Sequence, residues 1–574
     1  MREHCTAAHG GSTRARARAG VRQAGRTLAA SLVALVAVAT ATGSGAGRKF
    51  YDDDPVWRDD DTVEDASAVQ PWVVPDEFIA YESILRDPGD QTLNVRAQNV
   101  NTVDEVPDSS WYTNRVGSRA VAPDEVACGS CDGAGPADGA WTVSEGKAEG
   151  EQPGFVITDR TGERYFIKFD PPDYPAMATG TEVVVSRLFW ALGYNVPEYY
   201  LARFRREQLV MGPDAEVRPP GANWRRMKEA DLDLLLRYTP KSADGTYRVL
   251  ASQELRGKSL GPFRFHGTRP DDPNDIVPHE HRRELRGLLV FAAWLNHVSA
   301  QSSNTLDTLV REEGRAFVRH HLLDFGSTLG SGGTRPRDYW EGYDPLVNPK
   351  QALAGMVTFG FLIRPWRTVP VQESPALGRL PLDNGAWDPE AWRPRYPNAA
   401  FRRARADDTF WAARKVLAVG DDLIRAAVKA GQLSDPQAEE ALVRALADRR
   451  GAIGRSYLAK INPVVAPALD AGGVLTFGNA AVEAGVSAAP PSYRAIWSRF
   501  DNATGGTTRV GETSAATPRM EAPAGLPTEP GAYVRIEIVP ERGPEQAPYV
   551  PVHAYFRRTA AGWTLVGFER LPVG

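Results

Sequence analysis

The sequence predicts an α+β fold, and three observations carry that reading. A strand–turn–strand pattern at 155–169 leads into a helical stretch at 178–192. An almost wholly apolar helix at 283–295 leads into a second strand pair between 308 and 323. The segment 531–570 alternates as strands do. The chain of 574 residues has room for two or three domains of about 100–200 residues each. Its 42% apolar and 24% charged residues are ordinary for a globular protein, and exclude a fully disordered, collagen-like or polytopic membrane chain. A net charge of −5 with no long basic block after the first 27 residues argues against a nucleic-acid binder. Three cysteines exclude a disulfide-dense scaffold and a multi-zinc protein.

The amino terminus is basic, with Arg2, Arg14, Arg16, Arg18, Arg22 and Arg26 against one acid, Glu3. An apolar run follows at 28–41 and breaks into Thr-Gly-Ser-Gly-Ala-Gly. This order describes a secretory signal peptide over 1–41, cleaved after Ala39 or Ala41. The run falls short of the ~20 apolar residues of a spanning helix, so an uncleaved anchor is the alternative. No other segment reaches spanning length, and the mature chain is expected to lack a membrane span. Loss of 1–41 removes six Arg and one Glu and takes the net charge from −5 to about −10. An exported location follows: periplasmic, cell-envelope or extracellular.

Residues 48–137 are polar, acidic and rich in Pro and Asp, with scattered aromatics. They read as an extended arm lying on a folded body. Within it Cys128 and Cys131 form a Cys-Gly-Ser-Cys pair. Zinc would need two further ligands, and no second pair exists. A thioredoxin-type pair would sit between a strand and a helix. The pair therefore reads as a small structural disulfide, with a redox role as the alternative.

The turn signal Asp-Arg-Thr-Gly-Glu at 159–163 makes 155–158 and 164–169 a β-hairpin. In the helix at 178–192, Val184, Leu188 and Leu192 share a face and Gly193 is the stop. Residues 194–204 and 207–212 read as two more strands. The strands at 308–310 and 316–323 flank the turn Arg-Glu-Glu-Gly-Arg. Residues 335–400, rich in Pro and Trp, read as irregular. Two helices are expected at 401–432 and 436–460, the second with Asp435 as N-cap and Pro436 at its first position. A linker is expected over 463–530 and a β-rich tail over 531–574.

Four features fall in a meaningful order. Lys168 lies on the second hairpin strand. Glu182 opens the helix that follows. A buried helix runs into a polar loop ending at Asn304. The later strand pair ends in Asp324-Phe325-Gly326. This is the order of a protein-kinase-like core. A buried Lys neutralises triphosphate oxygens and a helix Glu holds that Lys in place. Metal ions bridging phosphates take oxygen ligands, which an Asp carboxylate and an Asn carbonyl supply. A loop at 144–154 precedes the hairpin with Gly146, Gly150 and Gly154, though not as Gly-x-Gly-x-x-Gly. Gly150, Gly154 and Lys147 are its candidates for phosphate contact.

On these residues the chain resembles the atypical protein-kinase-like superfamily of the persistence-toxin serine kinases, the spore-coat kinases and the secreted casein-type kinases. The likeness is carried by FIKFDPP at 166–172, the Glu182 helix ending in ALGYNVPE, RRELRGLLVFAAWLNH at 282–297, Asn304 in SNTLD, and LLDFG. It covers about 138–350, and the helices that follow fit as the remainder of a second lobe. The resemblance implies a two-lobed domain over 138–462, split near 260–261, that binds ATP with Mg²⁺ or Mn²⁺. It assigns Lys168, Glu182 and Asp324 to catalysis, Lys147, Lys168, Gly150 and Gly154 to the nucleotide, and Asn304 and Asp324 to the metal. The acceptor, a protein or a small molecule, is not specified.

One departure is serious. Such kinases place an Asp five residues before the metal-binding Asn, and here that position is Ser299. His297 and Asp307 are poor replacements for the base. General-base catalysis contributes typically about 10²–10⁴-fold, so weakened transfer and a degenerate, non-catalytic pseudokinase scaffold of the cell envelope are both open. His279 and His281 lack a third metal ligand and read as a solvated loop. Of His320 and His321, one is expected inside and one outside. No Gly-x-Ser-x-Gly, His-Glu-x-x-His or Walker loop is present.

Overall fold

A computed structural model describes residues 47–72, 84–146, 152–219, 222–348, 353, 356–358, 364–381 and 387–571. The leader and the loop positions Lys147 and Gly150 lie outside these residues. These residues fall into two units, 47–49 with 502–505 and 50–501 with 506–571. In the first, the Lys49 N–H donates to the Asn502 carbonyl at 3.0 Å. Everything below concerns the second.

The hairpin forms for a local reason. The Asp159 carboxylate accepts from the N–H groups of Thr161 (2.8 Å) and Glu163 (3.1 Å), and Gly162 takes φ +92°, closed to most side chains. This joins β2 (Gly154–Thr158) to β3 (Arg164–Lys168), antiparallel. With β1 (Trp141–Gly146), β4 (Tyr199–Phe204), β5 (Leu209–Val217), β6 (Arg225–Arg226) and β7 (Tyr247–Gln253) they make a sheet in the order β4-β7-β3-β2-β1-β5-β6. The β1–β5 pair is parallel. The structure is thus mixed α+β.

In the arm, α1 (Pro123–Cys128) ends at the Cys128–Cys131 disulfide, whose Cα atoms are 5.3 Å apart. The helix α2 (Met177–Ala191) crosses from the sheet into the main core, buried on nearly every side. There it packs on α7 (Asp421–Ala430), in one core with α4 (Arg283–Leu295), α6 (Ala406–Leu417) and α8 (Pro436–Tyr457); α3 (Glu229–Arg237) packs under the sheet and α5 (Ala399–Arg403) beside α4. The stretch 401–432, expected as one helix, breaks twice: between α5 and α6 at Ala404 and Arg405, and again where Gly420 becomes the N-cap residue of α7. Asp435 caps α8 as expected, accepting from Gln437 N–H at 2.8 Å. The strand β8 (Lys258–Gly261) joins the second hairpin, β9 (Thr305–Glu312) and β10 (Arg315–Leu322).

The stretch expected as a linker, 463–530, carries strands instead. They are β13 (Val464–Leu469), β14 (Val474–Asn479), β15 (Tyr493–Phe500), β16 (Thr507–Ala515) and β17 (Arg519–Glu521), numbered after the small pair β11 (Val371–Ser374) and β12 (Gly378–Pro381). Tyr493, Ala495 and Trp497 of β15 alternate into a core. They pack with β18 (Tyr533–Pro540), β19 (Val552–Arg558) and β20 (Trp563–Glu569) in the order β16-β15-β18-β19-β20. The Gly and Thr residues that suggested a linker sit on the edge strand β16 and in turns.

Charge is buried on a large scale at the start of α4. Arg283 is fully buried and pairs with Asp104 (2.8 Å), Asp407 (3.2 Å) and Asp408 (3.1 Å). Asp104, in the arm, also meets Arg96 at 2.9 Å and Arg570 after β20 at 3.8 Å. The histidines at 279 and 281 are not solvated. His279 pairs with Asp275 (2.8 Å) and His281 with Asp90 (2.9 Å), both under the arm. His320 and His321 are both buried, the first stacked on Trp111 of the arm at 3.5 Å. Among the described residues no helix is long and apolar enough to cross a membrane.

Candidate functional site

Lys168 is the last residue of β3, opposite Gly154 of β2 and Leu250 of β7. That register sets Gly154 beside the lysine. Two residues on, the Asp170 carboxylate accepts from the N–H groups of Ala178 (3.0 Å) and Thr179 (2.9 Å) and from the Thr179 hydroxyl (2.7 Å). These are otherwise unsatisfied donors at the start of α2, so Asp170 ties the end of β3 to the helix that carries Glu182. Arg248 of β7 braces Asp170 at 3.0 Å. Glu182 lies in the second turn of α2 rather than opening it, and is wholly buried.

The Lys168 ammonium donates to Glu182 Oε1 at 2.7 Å and to Asp324 Oδ1 at 2.7 Å. The three residues expected to act together therefore meet, though they are 14 and 156 positions apart. The two acids differ. Glu182 has no exposed side-chain surface, whereas 49% of the Asp324 side chain is exposed. Burial pulls the Lys168 ammonium down, but the Asp324 and Glu182 carboxylates outweigh it and hold the pKa above its ordinary value. Burial beside Glu182 pushes the Tyr199 phenol well up, and its hydroxyl accepts a long 3.4 Å bond from the Asp324 N–H.

Asp324 follows β10 with φ +59°, a left-handed conformation that Asp tolerates better than most residues. That bend puts Phe325 into the core, stacked on Phe189 of α2 at 5.1 Å. Gly326 comes next under a tight roof: a Cβ there would stand 3.1 Å from Glu182 Oε2 and 3.1 Å from Gln152 Oε1. Asn304 is placed by the β9–β10 hairpin. Its carbonyl accepts from the Leu323 N–H at 3.0 Å, one residue before Asp324. Its Nδ2 donates to the Ser299 carbonyl at 2.8 Å. The Asn304 amide oxygen and the Asp324 carboxylate are hard oxygen donors, the type Mg²⁺ and Mn²⁺ take. Among the described residues no group of three or more His, Cys, Asp or Glu is placed to hold a metal by itself. Two protein oxygens suit an ion that draws its other ligands from phosphates and water.

Ser299 is buried, and among the described residues its hydroxyl has no hydrogen-bond partner. His297 is buried between Phe189 and Phe325, each 5.7 Å from its ring, and burial, helped by Arg337, lowers its pKa to about 3. A base so weak does not collect a hydroxyl proton near neutrality. Asp307 is engaged by His320 (2.7 Å) and Arg269 (3.1 Å) deep in the fold. Sequence reasoning missed Asp170, Tyr199 and Gln152. Asp170 stood in the FIKFDPP motif, but eight residues before its first helical partner, beyond the usual N-cap spacing.

No protein-family model matches the chain, and no curated protein matches it.

Proposed function

We propose that the chain binds ATP with Mg²⁺ or Mn²⁺ as a degenerate kinase-like protein with a two-lobed core, exported from the cell. The observation that supports it best is the Lys168 ammonium, 2.7 Å from both a buried helix Glu and the Asp of a D-F-G turn. In this reading Lys168 contacts phosphate, Glu182 and Asp170 position it, and Asn304 and Asp324 hold the metal. A bound divalent ion would neutralise charge on the bridged phosphate oxygens. Phosphotransfer to a protein or small-molecule acceptor is weakened in this reading, because Ser299 replaces the proton acceptor.

The second reading is a scaffold that keeps this architecture without transferring phosphate. The buried Ser299 hydroxyl, without a hydrogen-bond partner among the described residues, and the neutral His297 favour it. The test of nucleotide binding is a thermal shift with ATP and Mg²⁺ or Mn²⁺, wild type beside Asp324→Ala. A ligand at 100 times its Kd adds about 2.7 kcal/mol. A metal-dependent rise lost in Asp324→Ala supports the nucleotide site. No rise at millimolar ATP in the wild type rejects it and leaves the scaffold. Transfer from radiolabelled ATP then separates weak enzyme from binder.

A further inference from the structure

The Cys128–Cys131 loop rests against a buried cation. Arg187 of α2 is 5% exposed, and among the described residues its Nε and Nη1 have no hydrogen-bond partner. Its Nη2 donates to the Tyr199 carbonyl at 2.8 Å. Gly129, between the two cysteines, lies directly over the guanidinium: a Cβ there would sit 3.0 Å from Nη1 and 3.3 Å from Nε. Both cysteines are only half-buried. A buried guanidinium with two idle N–H groups is costly, and a neutral disulfide sulfur is a poor acceptor for them. A thiolate is a strong one. Reduction would place a further anion at Arg187, beside the more distant attraction of Glu198.

We propose that Cys128–Cys131 is a thiol–disulfide exchange site for an external dithiol, with Arg187 as the group that stabilises the reduced form. A thiolate of the dithiol attacks one sulfur, the S–S bond breaks, and the other cysteine leaves as a thiolate beside Arg187. The second thiol of the reagent then attacks the mixed disulfide and releases the first cysteine. Two electrons pass to the protein, one proton stays on the second thiol, the other is released to water while the thiolate remains beside Arg187, and the dithiol becomes a disulfide. Three acids around the loop already have partners. Glu125 of α1 is held by Arg119 (2.7 Å), and Asp132 by Arg256 (2.5 Å). Glu198 accepts from Tyr200 (2.6 Å) and from the Asp132 N–H (3.2 Å).

The loop is also seated on the candidate site's supports. The Ser130 hydroxyl donates to the Pro197 carbonyl at 2.8 Å, and Arg187 shares α2 with Glu182. Opening the disulfide therefore loosens the α2–β4 junction, whether or not a nucleotide binds there.

The experiment is alkylation of the dithiothreitol-reduced, folded chain across pH, read by mass spectrometry on the peptides of Cys128 and Cys131, apart from Cys5. An ordinary thiol titrates near pH 8.5. The expected result is one of the two at least about one unit lower, and Arg187→Gln restoring it. Both thiols titrating at or above 8.5 in the wild type overturns the proposal without reference to any variant. A disulfide that dithiothreitol opens only after denaturation overturns it too. Hydrogen exchange on reduction should rise in 177–191 and 197–200; unchanged exchange there refutes the loosening.

Discussion

Replacing Lys168 by Met removes the cation shared by Glu182 and Asp324, and the two acids should respond differently. Glu182 loses its ammonium partner at a position where its side chain has no exposed surface. Breaking a buried pair in this way costs about 3–5 kcal/mol. The unit that holds the pair has about 520 residues, so each kcal/mol moves its melting point by roughly 1 °C and the loss is roughly 3–5 °C. Asp324 is about half exposed, and its pairing with Lys168 is worth no more than about 1 kcal/mol. The double variant Lys168→Met, Glu182→Gln should recover a good part of the loss, while Lys168→Met, Asp324→Asn should recover little. Scanning calorimetry on the transition these variants move gives the comparison. Equal recovery by both doubles, or a Lys168→Met that melts with the wild type, would refute the buried-pair reasoning.

Asp170→Ala should loosen the start of α2, lowering that transition by the equivalent of about 1–2 kcal/mol and weakening ATP binding if the site holds nucleotide; calorimetry and the thermal shift read the two effects. His297, with its pKa near 3, and His321, near 4, bind protons in the unfolded chain at a pH where the folded chain refuses them. Their contribution is full above about pH 6.5 and drains away as pH falls towards 3–4; in urea titrations at pH 4.5 and 7, His297→Leu should lose less on acidification than the wild type. If the chain transfers phosphate, Ser299→Asp should raise the rate by up to about 10²–10⁴-fold in a radiolabel assay, with ATP affinity little changed.

The sequence disclosed what is held by neighbouring residues. The first hairpin was legible because Asp159 and Gly162 make its turn locally, and the start of α8 because Asp435 caps it. The buried helix α4 was legible from its apolar run, but not the partners of its arginines. Arg283 looks like a surface residue until Asp407 and Asp408, more than 120 positions away, are brought against it. β16 was illegible because an exposed edge strand has no apolar face to alternate. That Glu182 holds Lys168 was anticipated from order along the chain; the contact of Lys168 with Asp324 was not. The Asp170 brace was not, since a cap eight residues from its helix leaves no local signature.

Asp104 receives arginines from three stretches that look separable in the sequence: Arg96 of the arm, Arg283 of the central core and Arg570 beyond the last strand. Its carboxylate works as a keystone. A chain trimmed to 138–462 would lose both Asp104 and Arg570 and keep Arg283, and the stacking of Trp111 on His320 would go with the arm. Anyone seeking a minimal soluble fragment should expect the shortened piece to aggregate. The amino-terminal and carboxy-terminal stretches have to be present together before the middle can close.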